Sequence, residues 1–264
     1  MVSRLATDIL KFASNYNIMK IKANEFTLEG KTVIILGGSS GLGLATALAA
    51  AHDGAKVIIV SGNQSRIDEA IASLPENCSG LAVDLSKEEN IKDFFDSVAP
   101  FDHLVYTAGE NLTLHIIDET DIETARQFFN LRYWGAFAAV KYGAKKIKAD
   151  GSINLTGGTA SPRPGAGWAV AASICAAMEG FTRAMAVELA PVRVNLVAPG
   201  VVKTNLWNSM SEADRNNLYS NVGESLPVKR VGEAGDIAQT FLYTMKQQYG
   251  TGQVIYVDGG SVLV

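Results

Sequence analysis

Short, unbroken apolar runs recur along the chain from Lys31 onward, without the polar alternation of a half-exposed strand. They are TVIILG (Thr32 to Gly37), KVIIVSG (Lys56 to Gly62), SGLAVDL (Ser79 to Leu85), DHLVYTAG (Asp102 to Gly109), GSINLTG (Gly151 to Gly157), VRVNLVAPG (Val192 to Gly200) and QVIYVDGG (Gln253 to Gly260). Continuous Val/Ile/Leu runs mark strands covered on both faces, the condition of a parallel sheet. Stretches of helical length and period separate them: Gly43 to Asp53, Gln64 to Leu74, Ser86 to Val98 and Asp121 to Lys148. An Ala-rich stretch from Gly167 to Pro191 reads as a helix packed closely on a partner. Strand, helix, strand repetition predicts a doubly wound α/β fold with right-handed crossovers. Residues 31–264 form one domain, because no linker or composition break divides them. Met1 to Gly30 stand apart as an extension. They are either a partly ordered tail, an amphipathic helix with Leu5, Ile9, Leu10 and Phe12 docked on a neighbouring subunit, or, against the acidic Asp8 and Glu25, a transit peptide.

Composition narrows the function more than the fold. With 264 residues and 47% apolar content the chain has ample material for a core. A net charge of −4 and the lack of a Lys/Arg cluster interleaved with aromatics argue against nucleic acid. No apolar run approaches the roughly 18 to 20 residues of a bilayer span and no signal-peptide core is seen, so a cytoplasmic protein without membrane contact is expected. Cys78 and Cys175 are too few for a disulfide framework and lack metal-ligand spacing, so free thiols and no metal are expected.

The segment ILGGSSGLGLATALAAA carries the clearest chemistry. It sets Gly37, Gly41 and Gly43 between the first strand and the first helix, where a pyrophosphate can approach the backbone and sit at the positive end of the helix. The alternative is that the glycines serve only close packing. The second strand ends in VSGNQSR, with no carboxylate from Ser61 to Arg66 to hold a ribose 2′-hydroxyl. Ser39, Ser40, Ser61, Asn63 and Arg66 could all bond a 2′-phosphate, which favours NADP(H) over NAD(H). Asp84 either accepts from an adenine amino group or caps the helix that begins near SKEEN.

GGSSGLG, the Asp84-Leu85 pair, Tyr106 to Gly109, AVELAPVRVNLVAPGVVKT, RVGEAGDIA and the closing VDGG together resemble the short-chain dehydrogenase/reductase (SDR) family, from about Lys31 to the C-terminus. The resemblance implies a Rossmann-type sheet of about seven parallel strands and a homotetramer or homodimer. It implies a cofactor at the carboxyl edge of the sheet, against Leu42, Leu85, Ala108, Gly109, Pro199 and Gly200, with the nicotinamide held by Val202 backbone and Thr204 hydroxyl. A substrate lid would span about residues 204–231. Family chemistry uses Tyr, Lys, Ser and Asn. The matching positions here hold Ala171, Cys175, Gly158 (or Gly157, with Thr156 slightly early) and Arg132, so the usual proton relay is missing.

Arg132 is then a permanent cation in the old active site, able to grip a carboxylate, enolate or carbonyl oxygen, unless it only pairs with Glu179 or Glu188. Trp168 is either a flat wall of that site or ordinary packing, and Arg163 lies close by. Tyr106 and Tyr133 are the nearby phenols that could replace the missing donor, and Cys175 is either a low-pKa thiol near a helix start or, as is several times more common, a small buried Cys. His52, His103 and His115 sit singly. Leu206, Trp207, Met210, Leu218 and Tyr219 along the lid suggest a mostly apolar small-molecule substrate. The expected activity is an atypical NADP(H)-dependent reductase or dehydrogenase. Its rivals are a non-catalytic nucleotide-binding subunit and a non-redox cyclase or isomerase.

Overall fold

The computed structural model describes residues 27–112 and 114–264; the proposed N-terminal helix lies outside them. A seven-stranded parallel sheet forms the centre, in the order β3-β2-β1-β4-β5-β6-β9. Its strands are β1 (Thr32–Leu36), β2 (Lys56–Ser61), β3 (Ser79–Ala82), β4 (Phe101–Tyr106), β5 (Ile147–Thr156), β6 (Arg193–Pro199) and β9 (Val254–Val257). Order reverses between β1 and β4, the switch point where a crevice opens beyond the carboxyl ends of an α/β sheet.

The inner strands β1, β4 and β6 are buried on both faces, as the unalternated runs require, while the edge strands β3 and β9 are partly exposed. Along β1, Val33 and Ile35 join one core with Ala47 and Ala50 of α1 (Gly41–His52), Ile67 of α2 (Gln64–Ile71) and Ile237 and Phe241 of α8 (Ala234–Lys246). Ile34 and Leu36 join the opposite core with Phe94 and Phe95 of α3 (Glu88–Ser97), Ala139 of α5 (Ala136–Gly143) and Met178 and Phe181 of α6 (Ala169–Glu188). By length and composition α6 could cross a bilayer, which corrects the expectation that no segment approaches that size. Here it lies along β6 and β5 within the domain.

The helix expected over Asp121 to Lys148 is broken into three pieces. α4 (Ile122–Phe129) runs into a π-helical segment, Asn130–Gly135, before α5 begins, and the last residues of the stretch already belong to β5. The break has a visible cause. The Tyr106 hydroxyl donates to the Leu131 carbonyl, taking an acceptor that an ordinary turn would keep for itself. A side chain at Gly135 would collide with that same hydroxyl. The lid comprises a short 3-10 turn, Asn205–Trp207, and α7 (Glu212–Ser225), anchored by a two-residue pairing of β7 (Val202–Lys203) with β8 (Gly232–Glu233).

Candidate functional site

A cleft of about 680 Å³ opens at the carboxyl edge of the sheet. It gathers every residue the sequence assigned to a cofactor: Gly37, Ser39, Ser40, Gly41, Leu42, Gly43, Ser61, Asn63, Arg66, Asp84, Leu85, Ala108, Gly109, Pro199, Gly200, Val202 and Thr204. Arg132, Trp168, Gly158, Ala171 and Cys175 line the same space. The glycines shape one end. Gly37 has a φ of +91°, and a side chain there would strike the Ala108 backbone, while one at Gly43 would strike the Gly37 carbonyl and the Thr107 hydroxyl. Thr107 ties the turn down by donating between the carbonyls of Leu36 and Gly37, each 3.2 Å away.

The charge pattern of this end suits an anion. Ser40 is the N-cap of α1 with its hydroxyl unbonded, and the first turn of α1 holds no acid. The Arg66 guanidinium is exposed and makes no ion pair among the described residues, while its backbone N–H is fixed 2.9 Å from Asn63 Oδ1 at the start of α2. These residues fit a phosphorylated dinucleotide. Asp84 is not the helix cap, which is Lys87. Its Oδ1 accepts from the Ser86 backbone at 3.0 Å and hydroxyl at 2.6 Å, and these bonds hold its carboxyl below the usual range.

At the other end stand Ala171, Gly158 and Cys175. Ala171 is buried, and a Cβ on Gly158 would lie 3.3 Å from Cys175 Sγ, so Gly158 and Cys175 face each other. Burial pushes the Cys175 thiol up to about 11, which makes it an inert neighbour. Thr156 donates to the Tyr106 carbonyl at 2.6 Å.

The two candidate phenols fail as donors. Tyr106 is 1% exposed, its hydroxyl is committed to Leu131, and burial raises its pKa. Tyr133 packs in an aromatic chain with Phe129, Trp134, Phe137 and Phe181, away from the cleft lining.

Arg132 reaches the cleft from the π-helical segment. Its guanidinium lies 4.7 Å from the Phe128 ring centroid, donates through Nη2 to the Glu110 carbonyl, and places Nε 3.7 Å from Glu110 Oε2. Its partner is therefore Glu110 rather than Glu179 or Glu188; Glu179 pairs with Arg183 and Tyr256. Glu110 escaped the sequence reading because it has no motif, standing one residue beyond the Tyr106 to Gly109 turn. Arg163 is turned away, donating to the Ser261 carbonyl. Of the apolar lid residues, Leu206 and Trp207 line the cleft; Met210 and Leu218 do not, and Tyr219 faces a separate hollow on the lid's far side. The lid turn is fastened by Leu112 N–H donating to the Leu206 carbonyl at 3.3 Å.

Known proteins match along most of the chain. A family model for SDR-like Rossmann domains matches residues 23–264. The short-chain dehydrogenase/reductase ucsE of Acremonium sp is 32% identical over 89% of this chain and 97% of its own length, and carbonyl reductase family member 4 of Danio rerio is 30% identical over 89% and 99%. Among solved structures, a small-chain dehydrogenase in complex with NADPH superposes with a TM-score of 0.79 at 35% identity, covering 89% of this chain and 99% of its own. The MalC reductase/Diels-Alderase from Malbranchea aurantiaca gives 0.84 at 26%, covering 91% and 99%. With the cofactor-type cleft at the switch point and these relatives over nearly the whole domain, the chain belongs to the short-chain dehydrogenase/reductase family and is an oxidoreductase of that type.

Proposed function

We propose that this chain is an NADP(H)-dependent oxidoreductase that works without the tyrosine and lysine relay of its family. The observation that carries the cofactor choice is the end of β2, where Arg66, without an ion pair among the described residues, stands with the Ser61 and Asn63 side chains and no carboxylate from Ser61 to Arg66. Ser39, Ser40 and the first turn of α1 would hold the pyrophosphate, and Val202 and Thr204 the carboxamide end. Bound NADPH supplies the hydride. The protein's part is to orient an apolar carbonyl or imine compound against Trp168 and Leu206 and to offset the charge that develops on its oxygen with Arg132. The relative crystallised with NADPH supports this reading.

Titration of the full chain with NADPH and NADH, followed by cofactor fluorescence, tests it. NADPH should bind the more tightly, and Arg66→Ala should cost it about tenfold, roughly 1.4 kcal/mol, with little change for NADH. In turnover on a panel of aryl ketones, α-diketones and cyclic imines, Arg132→Ala should lower kcat by about 100-fold or more. Absence of binding by either nucleotide would overturn the reading in favour of a non-catalytic subunit.

A second reading is favoured by the MalC neighbour, whose name joins reduction to a Diels-Alder reaction. In that reading the Arg132 and Trp168 end orients a cyclisation, and product forms equally well with NADP+ in place of NADPH.

The unit of function is proposed to be a homo-oligomer. Trp134 is 56% exposed and lies tilted 5.9 Å from Phe137, which in turn stacks on Phe181 of α6, an apolar face suited to a second copy of this chain.

A further inference from the structure

The cleft must find a proton for any carbonyl it reduces, and its ionisable side chains can be taken in turn. Asp84 lines the cleft just beyond β3, bonded to Ser86. Tyr106 is sealed beneath the floor with its hydroxyl on Leu131. Cys175 faces Gly158 as a buried thiol. Arg132 keeps its charge at any working pH. Glu110 remains. It lines the cleft beside Gly109 and Arg132, and its side chain is 43% exposed, open to both ligand and water.

From this geometry we propose that Glu110 is the proton donor of the cleft, with Arg132 as the group that receives the carboxylate it leaves. The assignment rests on the reductase reading and deepens it. Arg132 is shaped for the second task. Its Nη2 is already fixed on the Glu110 main chain, while its Nε is buried with no hydrogen-bond partner, 3.7 Å from Oε2. A carboxylate left on Glu110 would draw that separation in to a charge-assisted bond. Burial also holds the Glu110 carboxyl above the ordinary carboxylate range, despite the opposing pull of Arg132. The titratable groups facing the pair are few: Arg132 from the π-helical segment, the Tyr106 phenol from β4 and the Cys175 thiol from α6. The lid lines the cleft with the uncharged Thr204, Asn205, Leu206 and Trp207.

The step balances. As the cofactor's hydride adds its electron pair to the carbonyl carbon, the C=O π electrons move to oxygen. The Glu110 O–H bond breaks and an O–H bond forms on that oxygen, leaving alcohol, oxidised cofactor and a Glu110 carboxylate beside Arg132. Water at the cleft mouth returns the proton. Reduction of a preformed iminium ion needs no proton and so makes no demand on Glu110.

The test uses the full chain with Glu110→Gln and Glu110→Asp, each titrated with NADPH and then assayed against pH on an aryl ketone or α-diketone and on a cyclic iminium salt. Wild-type kcat for the carbonyl should fall as pH rises through the Glu110 titration. Glu110→Gln should lower that kcat by about 100-fold or more, abolish the pH dependence, and slow iminium reduction far less. Glu110→Asp should keep the pH dependence at a reduced rate. A wild-type pH profile preserved in Glu110→Gln, or equal losses on both substrates, would overturn the assignment. Failure of the wild type to bind NADPH or reduce any substrate would instead count against the reductase reading. Infrared titration is independent of turnover. A protonated-carboxyl band that persists above the ordinary glutamate range and vanishes in Glu110→Gln supports the assignment, and its absence from the wild type overturns it.

Discussion

At the scale of single residues, the reactivity of the cleft depends on what each hydroxyl is already bonded to. Thr107 is held by the glycine turn, Thr156 by the Tyr106 carbonyl and Tyr106 by Leu131, so three hydroxyls of the cleft lining serve the scaffold. A sequence shows that these side chains exist and hides which acceptor they have found, which is why Tyr106 read as a candidate donor. Its replacement tests the structural role. Tyr106→Phe leaves the Leu131 carbonyl without its partner beside a buried ring, at a cost of about 1 to 3 kcal/mol, and loosens the segment that carries Arg132 into the cleft. Urea unfolding should show that loss of stability, and kcat should fall more than NADPH affinity. Unchanged stability would show the bond to be dispensable. Arg132 was legible because a cation on a motif position stands out against the expected amide. Glu110 was not, since its partner is 22 residues away and meets it only after the helix between them breaks.

At the scale of elements, the strands and most helices could be read directly, because burial of the inner strands on both faces leaves unbroken apolar runs and the helices between them keep their own period. α6 is the clearest case: it lies along β6 and spans Ala169–Glu188 inside the expected Gly167 to Pro191. The π-helical segment was invisible, since Gly135 in NLRYWG weakens a helix without saying how it would deform; the Tyr106 hydroxyl that bonds Leu131 comes from a strand far away in sequence. The same segment turns Trp134 outward. If α5 and α6 meet their counterparts in a second copy, Trp134→Glu places a charge in that contact, where desolvation opposes it. Sedimentation velocity should then show a smaller species than the wild type at equal concentration, with an unchanged circular dichroism spectrum. Identical sedimentation of the two proteins would remove this face as the interface.

At the scale of the whole molecule, the two ends of the strands divide the work. The carboxyl edge carries the cleft, where the Ser40 hydroxyl and the Arg66 guanidinium have no side-chain partner among the described residues. The amino edge is bound up in its own charges: Asp102, 1% exposed, takes the Thr32 N–H at 2.8 Å and both Lys31 and Lys148. Next to it, buried His103 places Nδ1 2.9 Å from Ser152 Oγ, which also receives Asn154 Nδ2 at 2.9 Å. The Ser152 hydroxyl, accepting from Asn154, is free to donate to a neutral imidazole, so the seam is built around uncharged His103. Burial, and secondarily Arg193, lowers its pKa from 6.5 to about 4. The sign of the consequence follows: between those values the unfolded chain binds a proton that the folded one refuses. Stability is therefore intact above pH 6.5 and declines as pH falls to about 4, by up to roughly 3 kcal/mol. Unfolding free energies measured across that range should show a slope equivalent to one proton, and His103→Asn, whatever its own stability, should lose it. A slope that survives the substitution would place the acid sensitivity elsewhere. A variant that changes this slope while leaving NADPH affinity alone would show that the fold's acid tolerance and its chemistry sit at opposite ends of the same strands.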